Sequence, residues 1–238
     1  MPGAINLGGV PDHTVGAVRI ERPLVLRFDN LLLWLDASQL SGADGDTLTE
    51  WLNLESDSNL DFLSTGTSGP NLALSTQNGL NTVSFDGLTA DHQIARGTWT
   101  ETMPWTIYVV AKRTAGFTLF NRVFYTTAGE VGFTDSADNF YCYAGAASFP
   151  QIAAADNAYH VFHAEMNSDA SLLEANDSAS AGVDVGTLNP DSELYLSHNA
   201  TSPLQGNIAE VVLYSDSQDS DEVHIITHHL LSKWGLST

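Results

Sequence analysis

Short runs rich in Val, Ile, Phe, Tyr and Trp recur between clusters of Gly, Asn, Asp and Ser, and this rhythm constrains the fold more than any other feature. The runs are VRIERPLVLRF, NTVSFDG, WTIYVVAKR, FTLFNRVFY, EVGFTD, NFYCYAG, YHVFHAEM, ELYLSH and NIAEVVLYS. β-Branched and aromatic residues in segments of this length, bounded by turn residues, predict the antiparallel strands of a sandwich or barrel. Alternating βαβ units are missing, so a Rossmann or TIM arrangement is not expected.

The C-terminus breaks the rhythm. In DSDEVHIITHHLLSKWG, Asp219 stands as an N-cap with Glu222 three residues on, and Gly235 follows as a stop. Between them Val223, Ile226, Thr227, Leu230, Leu231 and Trp234 recur at helical spacing, with Lys233 in the last turn. The spacing predicts one helix whose apolar stripe docks on the sandwich. Alternation in NIAEVVLY places Ile208, Glu210, Val212 and Tyr214 on one strand face and Ala209, Val211 and Leu213 on the other. Both faces are apolar, so Glu210 is expected to be a structural carboxylate held by N–H donors such as an indole, because an unsatisfied buried carboxylate costs several kcal/mol.

A length of 238 residues suits one large domain, and no repeat divides it. Residues 1–22, punctuated by Gly and Pro, are expected to form an arm that docks on a neighbouring subunit by strand addition, with an ordinary first strand as the alternative. Residues 23–238 form the domain. Against 8 Lys and Arg stand 29 Asp and Glu, for a net charge of −21. Such a surface repels phosphate backbones and anionic membranes, so nucleic acid and membrane partners are not expected, whereas high salt or divalent ions would suit it. Cys142 is the single cysteine, which excludes an intrachain disulfide and a CxxC zinc site. No apolar run approaches the ~20 residues of a membrane helix, and the first residues lack the basic and apolar parts of a secretory signal.

Several stretches resemble the concanavalin A-like, laminin G-like jelly-roll family, in the form common in phage and bacterial surface proteins. LWLDAS, with Trp34 and Asp36, resembles its opening signature; GLNTVSFDG and WTIYVVAKR resemble its middle strands. GNIAEVVLYSDSQDSDEVHIITHHLLSKWGL, with Glu210 and Trp234, resembles its closing strand and helix. The resemblance implies a β-sandwich of two antiparallel sheets with a C-terminal helix, in which Trp34, Asp36, Glu210 and Trp234 are structural. Glycan-cleaving relatives similar to laminarinases carry Glu-x-Asp-x-x-Glu on one strand, since retaining hydrolysis needs carboxyls about 5–5.5 Å apart. No such stretch occurs in this chain, and EANDSASAG reads as a hairpin tip, so no enzymatic activity is expected.

Aromatic candidates for stacking on sugar faces are Trp99, Trp105, Tyr125, Tyr141 and Tyr143, with Trp99, in RGTWTET, expected to be the most exposed. No cofactor is expected, except that Asp44 and Asp46 in GADGDT could offer carboxylates to calcium. His224 and His228 stand at i and i+4 beside His229, a spacing that can place two imidazoles on one metal, although solvated histidines are the preferred reading. The leading functional expectation is a non-enzymatic virion structural protein: a surface decoration, baseplate or fibre-associated component of a phage particle. Such a protein is made in the host cytoplasm, sits on the outer virion surface in multiple copies and meets other virion proteins through residues 1–22. The alternative is a bacterial carbohydrate-binding or adhesion module, extracellular or on the cell surface, with glycans as partners.

Overall fold

The computed structural model describes residues 14–15, 18–19, 23, 28–55, 58–64, 69–87, 93–114, 120–127, 129–134, 139–146, 148–179, 184–189, 192–197 and 202–238. In chain order the strands begin with β1 (Thr14–Val15), β2 (Val18–Arg19), β3 (Leu31–Asp36), β4 (Glu50–Trp51), β5 (Phe62–Ser64) and β6 (Asn71–Gln77). They continue with β7 (Leu80–Asp86), β8 (Gln93–Trp99), β9 (Trp105–Arg113), β10 (Asn121–Tyr125), β11 (Glu130–Phe133) and β12 (Asn139–Tyr143). The last are β13 (Gln151–Ala153), β14 (His160–Met166), β15 (Leu172–Ala175), β16 (Ser178–Ala179), β17 (Ser192–Leu196) and β18 (Gln205–Tyr214), before the helix α1 (Ser220–Trp234).

Two antiparallel sheets face each other. One runs β16-β15-β14-β9-β18-β7-β6, with β3 also paired to β18, and the other runs β13-β12-β11-β10-β17-β8-β5-β4. Between them lies one apolar layer, from Leu33, Leu35 and Trp51 through Ile107, Val109, Phe124, Phe133, Phe140 and Phe162 to Leu213. A second layer lies under α1, where Ile226, Leu230, Leu231 and Trp234 meet Trp34, Tyr108, Val110, Val161, Val212 and Tyr214. The central strands of the first sheet, β9 and β18, are thus covered on both faces. That is why β9 and β18 read as near-continuous apolar runs while β8 and β6, each with a wet face, read as mixed ones and were not recognised as strands in the sequence. The arm expected over residues 1–22 falls almost wholly outside the described residues, apart from the short β1–β2 ladder.

α1 follows the sequence closely. The Asp219 side chain accepts from the Asp221 and Glu222 amides, Glu222 reaches back to the Asp219 amide, and Gly235 closes the helix at φ 63°. β18 departs from the expected alternation. Ile208 pairs with Ala111 and Glu210 with Val110, so Ala209 is the extra residue of a β-bulge. Ala209 therefore lies on the helix side with Val212 and Tyr214, while Ile208 joins Val211 and Leu213 between the sheets. The expected grouping of Ile208 with Val212, and of Ala209 with Val211, is corrected by this one inserted residue.

Candidate functional site

Glu210 stands where β18 changes partner on one side, pairing with β7 up to Ile208 and with β3 from Glu210 onward. The bulge turns its side chain under α1. There Trp34 Nε1 donates to Oε1 at 2.8 Å, while Trp234 Nε1 and Lys233 Nζ each donate to Oε2 at 2.7 Å. Lys233 also reaches Asp36 Oδ2 at 2.8 Å, and Asp36 accepts from the Ser38 amide and hydroxyl at 3.0 and 2.7 Å. Burial, reinforced by Asp36, pushes the Glu210 carboxyl above its usual range, against the pull of Lys233 and Trp234. For Lys233 burial works against the charge, but Glu210 and Asp36 outweigh it and hold the ammonium above its ordinary pKa. Both Glu210 oxygens are thus occupied by donors, on a side chain fully buried beneath the helix.

The outer face of the second sheet is different in kind, since no helix covers it among the described residues. Tyr125 on β10 and Tyr195 on β17 pair directly across the ladder, with ring centroids 6.0 Å apart, and both are half-buried. Arg122 lies over the Tyr125 ring at 4.9 Å and pairs with Glu130 Oε2 at 2.5 Å. The Tyr195 hydroxyl donates to Glu193 Oε2 at 2.7 Å, and that bond pushes the phenol up to about 12. Further along, Tyr141 donates to Glu130 Oε1 at 2.8 Å beneath the Phe120 and Phe149 rings. The face therefore offers two aromatic rings side by side, edged by fixed carboxylates and a guanidinium. Such a surface can stack on the C–H faces of a flat ligand and receive its hydroxyl donors.

The sequence-derived aromatic candidates divide. Tyr125 and Tyr143 are half-exposed on this face. Trp99 is 3% exposed, contrary to expectation, with its ring edge-on to Trp105 at 5.0 Å. The reason is strand register: Thr98 pairs with Glu193 and Trp99 with Ser192, so polar Thr98 faces outward and its neighbour inward. The polar surroundings of Trp99 were those of a half-wet strand, not of an exposed loop. Trp105 is buried at the start of central strand β9, and Tyr141, although on the outer face, is roofed by Phe120 and Phe149, so neither presents a ring to a ligand. Tyr195 was missed because nothing in ELYLSH shows that Tyr125 stands beside it. Asp46 Oδ2 accepts from the Ala43 amide at 2.6 Å and Asp44 Oδ1 from the Leu74 amide at 3.0 Å, so each closes backbone in an exposed turn, and the calcium expectation draws nothing from that geometry.

No protein-family model and no curated protein sequence matches the chain. Its structure is similar to that of Trypanosoma rangeli sialidase in complex with sialic acid, with a TM-score of 0.60 and 14% identity over 95% of this chain. It is also similar to a structure of botulinum neurotoxin type C, whose cell entry is dependent upon interaction with two ganglioside molecules, with a TM-score of 0.58 and 10% identity over 85% of this chain. The chain spans 36% of the sialidase chain and 52% of the neurotoxin chain. At these identities the likeness is one of fold: an all-β sandwich compatible with the concanavalin A-like jelly roll.

Proposed function

We propose that this chain is a non-catalytic carbohydrate-binding or adhesion module that receives its ligand on the outer face of the second sheet. The observation that carries the reading is the Tyr125–Tyr195 pair, two adjacent half-exposed rings beside Arg122, Glu130 and Glu193 on a face left open by the helix. The neighbours add support of a weaker kind, since one is seen with sialic acid and the other depends on gangliosides, both carbohydrate ligands. A non-catalytic role agrees with Glu210, whose oxygens are already taken by two indoles and an ammonium. The virion reading draws no support from these neighbours.

A glycan array probed with the purified chain tests the proposal. At least one oligosaccharide class should be retained, and Tyr125→Ala and Tyr195→Ala should each weaken binding about two- to tenfold, in line with about 0.5–1.5 kcal/mol for an aromatic contact beyond its buried area. Their melting temperatures should stay near that of the parent. An array without hits, or full binding by the double variant, would exclude this face as a glycan site.

A further inference from the structure

The structure assigns a divalent transition-metal site to Asp177, His224 and His228, three residues from two elements distant in the chain. It does not rest on the glycan reading, and it lies against the first sheet rather than on the open face of the second. One ligand atom from each of the three groups lies within 4.8 Å of the others. Asp177 Oδ2 is 3.5 Å from His228 Nε2, Asp177 Oδ1 is 3.9 Å from His224 Nδ1, and the two imidazole centroids are 4.1 Å apart. Around a tetrahedral ion with bonds of about 2.0–2.1 Å, ligand atoms stand roughly 3.3 Å apart. Small side-chain rotations close the remaining gap, and the exposure of all three groups leaves them free to make those rotations.

The backbone holds these groups in place. The two histidines occupy successive turns of α1, which is fixed in the apolar layer by Ile226, Leu230, Leu231 and Trp234. Asp177 comes from the two-residue turn between β15 and β16, where Ala175 pairs with Ser178 and both Asn176 and Asp177 have positive φ, 48° and 70°. That conformation defines a type I′ hairpin, for which Asn and Asp are favoured residues. Asn176 locks the turn to β14, accepting from the Val161 amide at 2.8 Å through its side chain and donating its own amide to the Val161 carbonyl at 2.9 Å. The tip of an edge hairpin is thus carried to the flank of the helix, where its carboxylate meets the imidazole pair.

The donor set chooses the ion. Two imidazoles and one carboxylate suit Zn2+, Ni2+ or Cu2+, whereas Ca2+ and Mg2+ prefer all-oxygen surroundings. Three protein ligands leave the fourth position open to solvent, and the bound ion would tie the hairpin to the helix.

The test uses the untagged full chain, stripped of metal and titrated calorimetrically with zinc chloride, with calcium chloride as the reference for diffuse attraction to the acidic surface. One Zn2+ should bind per chain and raise the melting temperature, because an ion held by the folded arrangement stabilises it. His224→Ala, His228→Ala and Asp177→Asn should each weaken zinc binding about tenfold or more, the scale reached even by outer-sphere changes at metal sites. His229→Ala should leave it intact. Circular dichroism without metal confirms that each variant is folded, as expected for exposed positions. A zinc isotherm no different from the calcium one, or one unchanged in the His224→Ala/His228→Ala double variant, overturns the assignment.

Discussion

Glu210, Asp36 and Lys233 form a buried triad with two potential negative charges and one positive, and this imbalance decides how the site responds to substitution and to pH. Removing the cation is the severe change. Lys233→Met would leave two carboxylates facing each other under the helix, with only neutral indole, hydroxyl and amide donors to hold them. Breaking a buried pair by deleting one partner costs roughly 3–5 kcal/mol, and the loss at neutral pH should fall in that range. The pH dependence follows from the direction of the Glu210 shift, upward through burial and then Asp36, with Lys233 as the main opposing influence. A carboxyl whose folded pKa is raised contributes its stability below the unfolded value of about 4.3 and loses it as pH rises through the folded value. Deleting Lys233 raises the folded value further, so the difference between variant and parent should shrink from pH 7 toward pH 4. Urea unfolding at both pH values measures this, and a deficit as large at pH 4 as at pH 7 would refute it.

At the level of elements, α1 is held at its C-terminal end by the β6–β7 hairpin. Gln77 Nε2 donates to the Trp234 carbonyl at 2.7 Å and Asn78 Nδ2 to the Lys233 carbonyl at 2.8 Å, so the turn supplies partners for carbonyls that the helix leaves open. Gly235 ends the helix at positive φ, and a Cβ there would sit 2.9 Å from Asn78 Cγ. Gly235→Ala should therefore cost about 1–2 kcal/mol from the left-handed backbone, and more through contact with Asn78. Asn78→Ala should cost about 1 kcal/mol for the lost hydrogen bond. In the double variant the contacts with Asn78 Cγ and Oδ1 are gone and only its Cβ, 3.2 Å away, remains close, so the sum of the single losses should exceed the combined loss; strict additivity in urea unfolding would show that the contact carries no energy. Elements of this kind were legible where their signals are local. The capping box at Asp219 and Glu222, the stop at Gly235 and the turn at Asn176–Asp177 need only neighbouring residues, and all are present. What could not be read depended on partners far along the chain. The bulge at Ala209 exists only in relation to β9, Tyr195 matters because Tyr125 stands opposite, and Trp99 is buried because of its register with β17. Glu210 was recognisable as a carboxylate in need of donors, but the ammonium among those donors was not.

For the whole molecule, the excess of 21 acidic over basic residues acts against the compact state, because folding brings the carboxylates closer together. Local ion pairs do little to relieve it. Arg96 with Glu50, at side-chain exposures of 46% and 35%, is of the surface kind, which contributes about 0–1 kcal/mol. Arg113 with Asp156 and Arg122 with Glu130 are more sheltered, yet they too engage only a small part of the acidic total. Most of the charge is therefore net repulsion over the surface, and salt should weaken it, since the screening length falls from about 30 Å at 0.01 M to about 3 Å at 1 M. The melting temperature at pH 7 should rise by several degrees across that range of sodium chloride. A general salting effect on apolar burial would also raise it, but the two causes differ in their dependence on pH. Near the sequence pI of about 4.3 the net charge is close to zero, so repulsion and its relief by salt should both vanish there, while a salting effect would persist. Calorimetric scans in low and high salt at pH 7 and near pH 4.3 separate them. A salt increment of equal size at the two pH values would show that repulsion between carboxylates does not limit the stability of this sandwich.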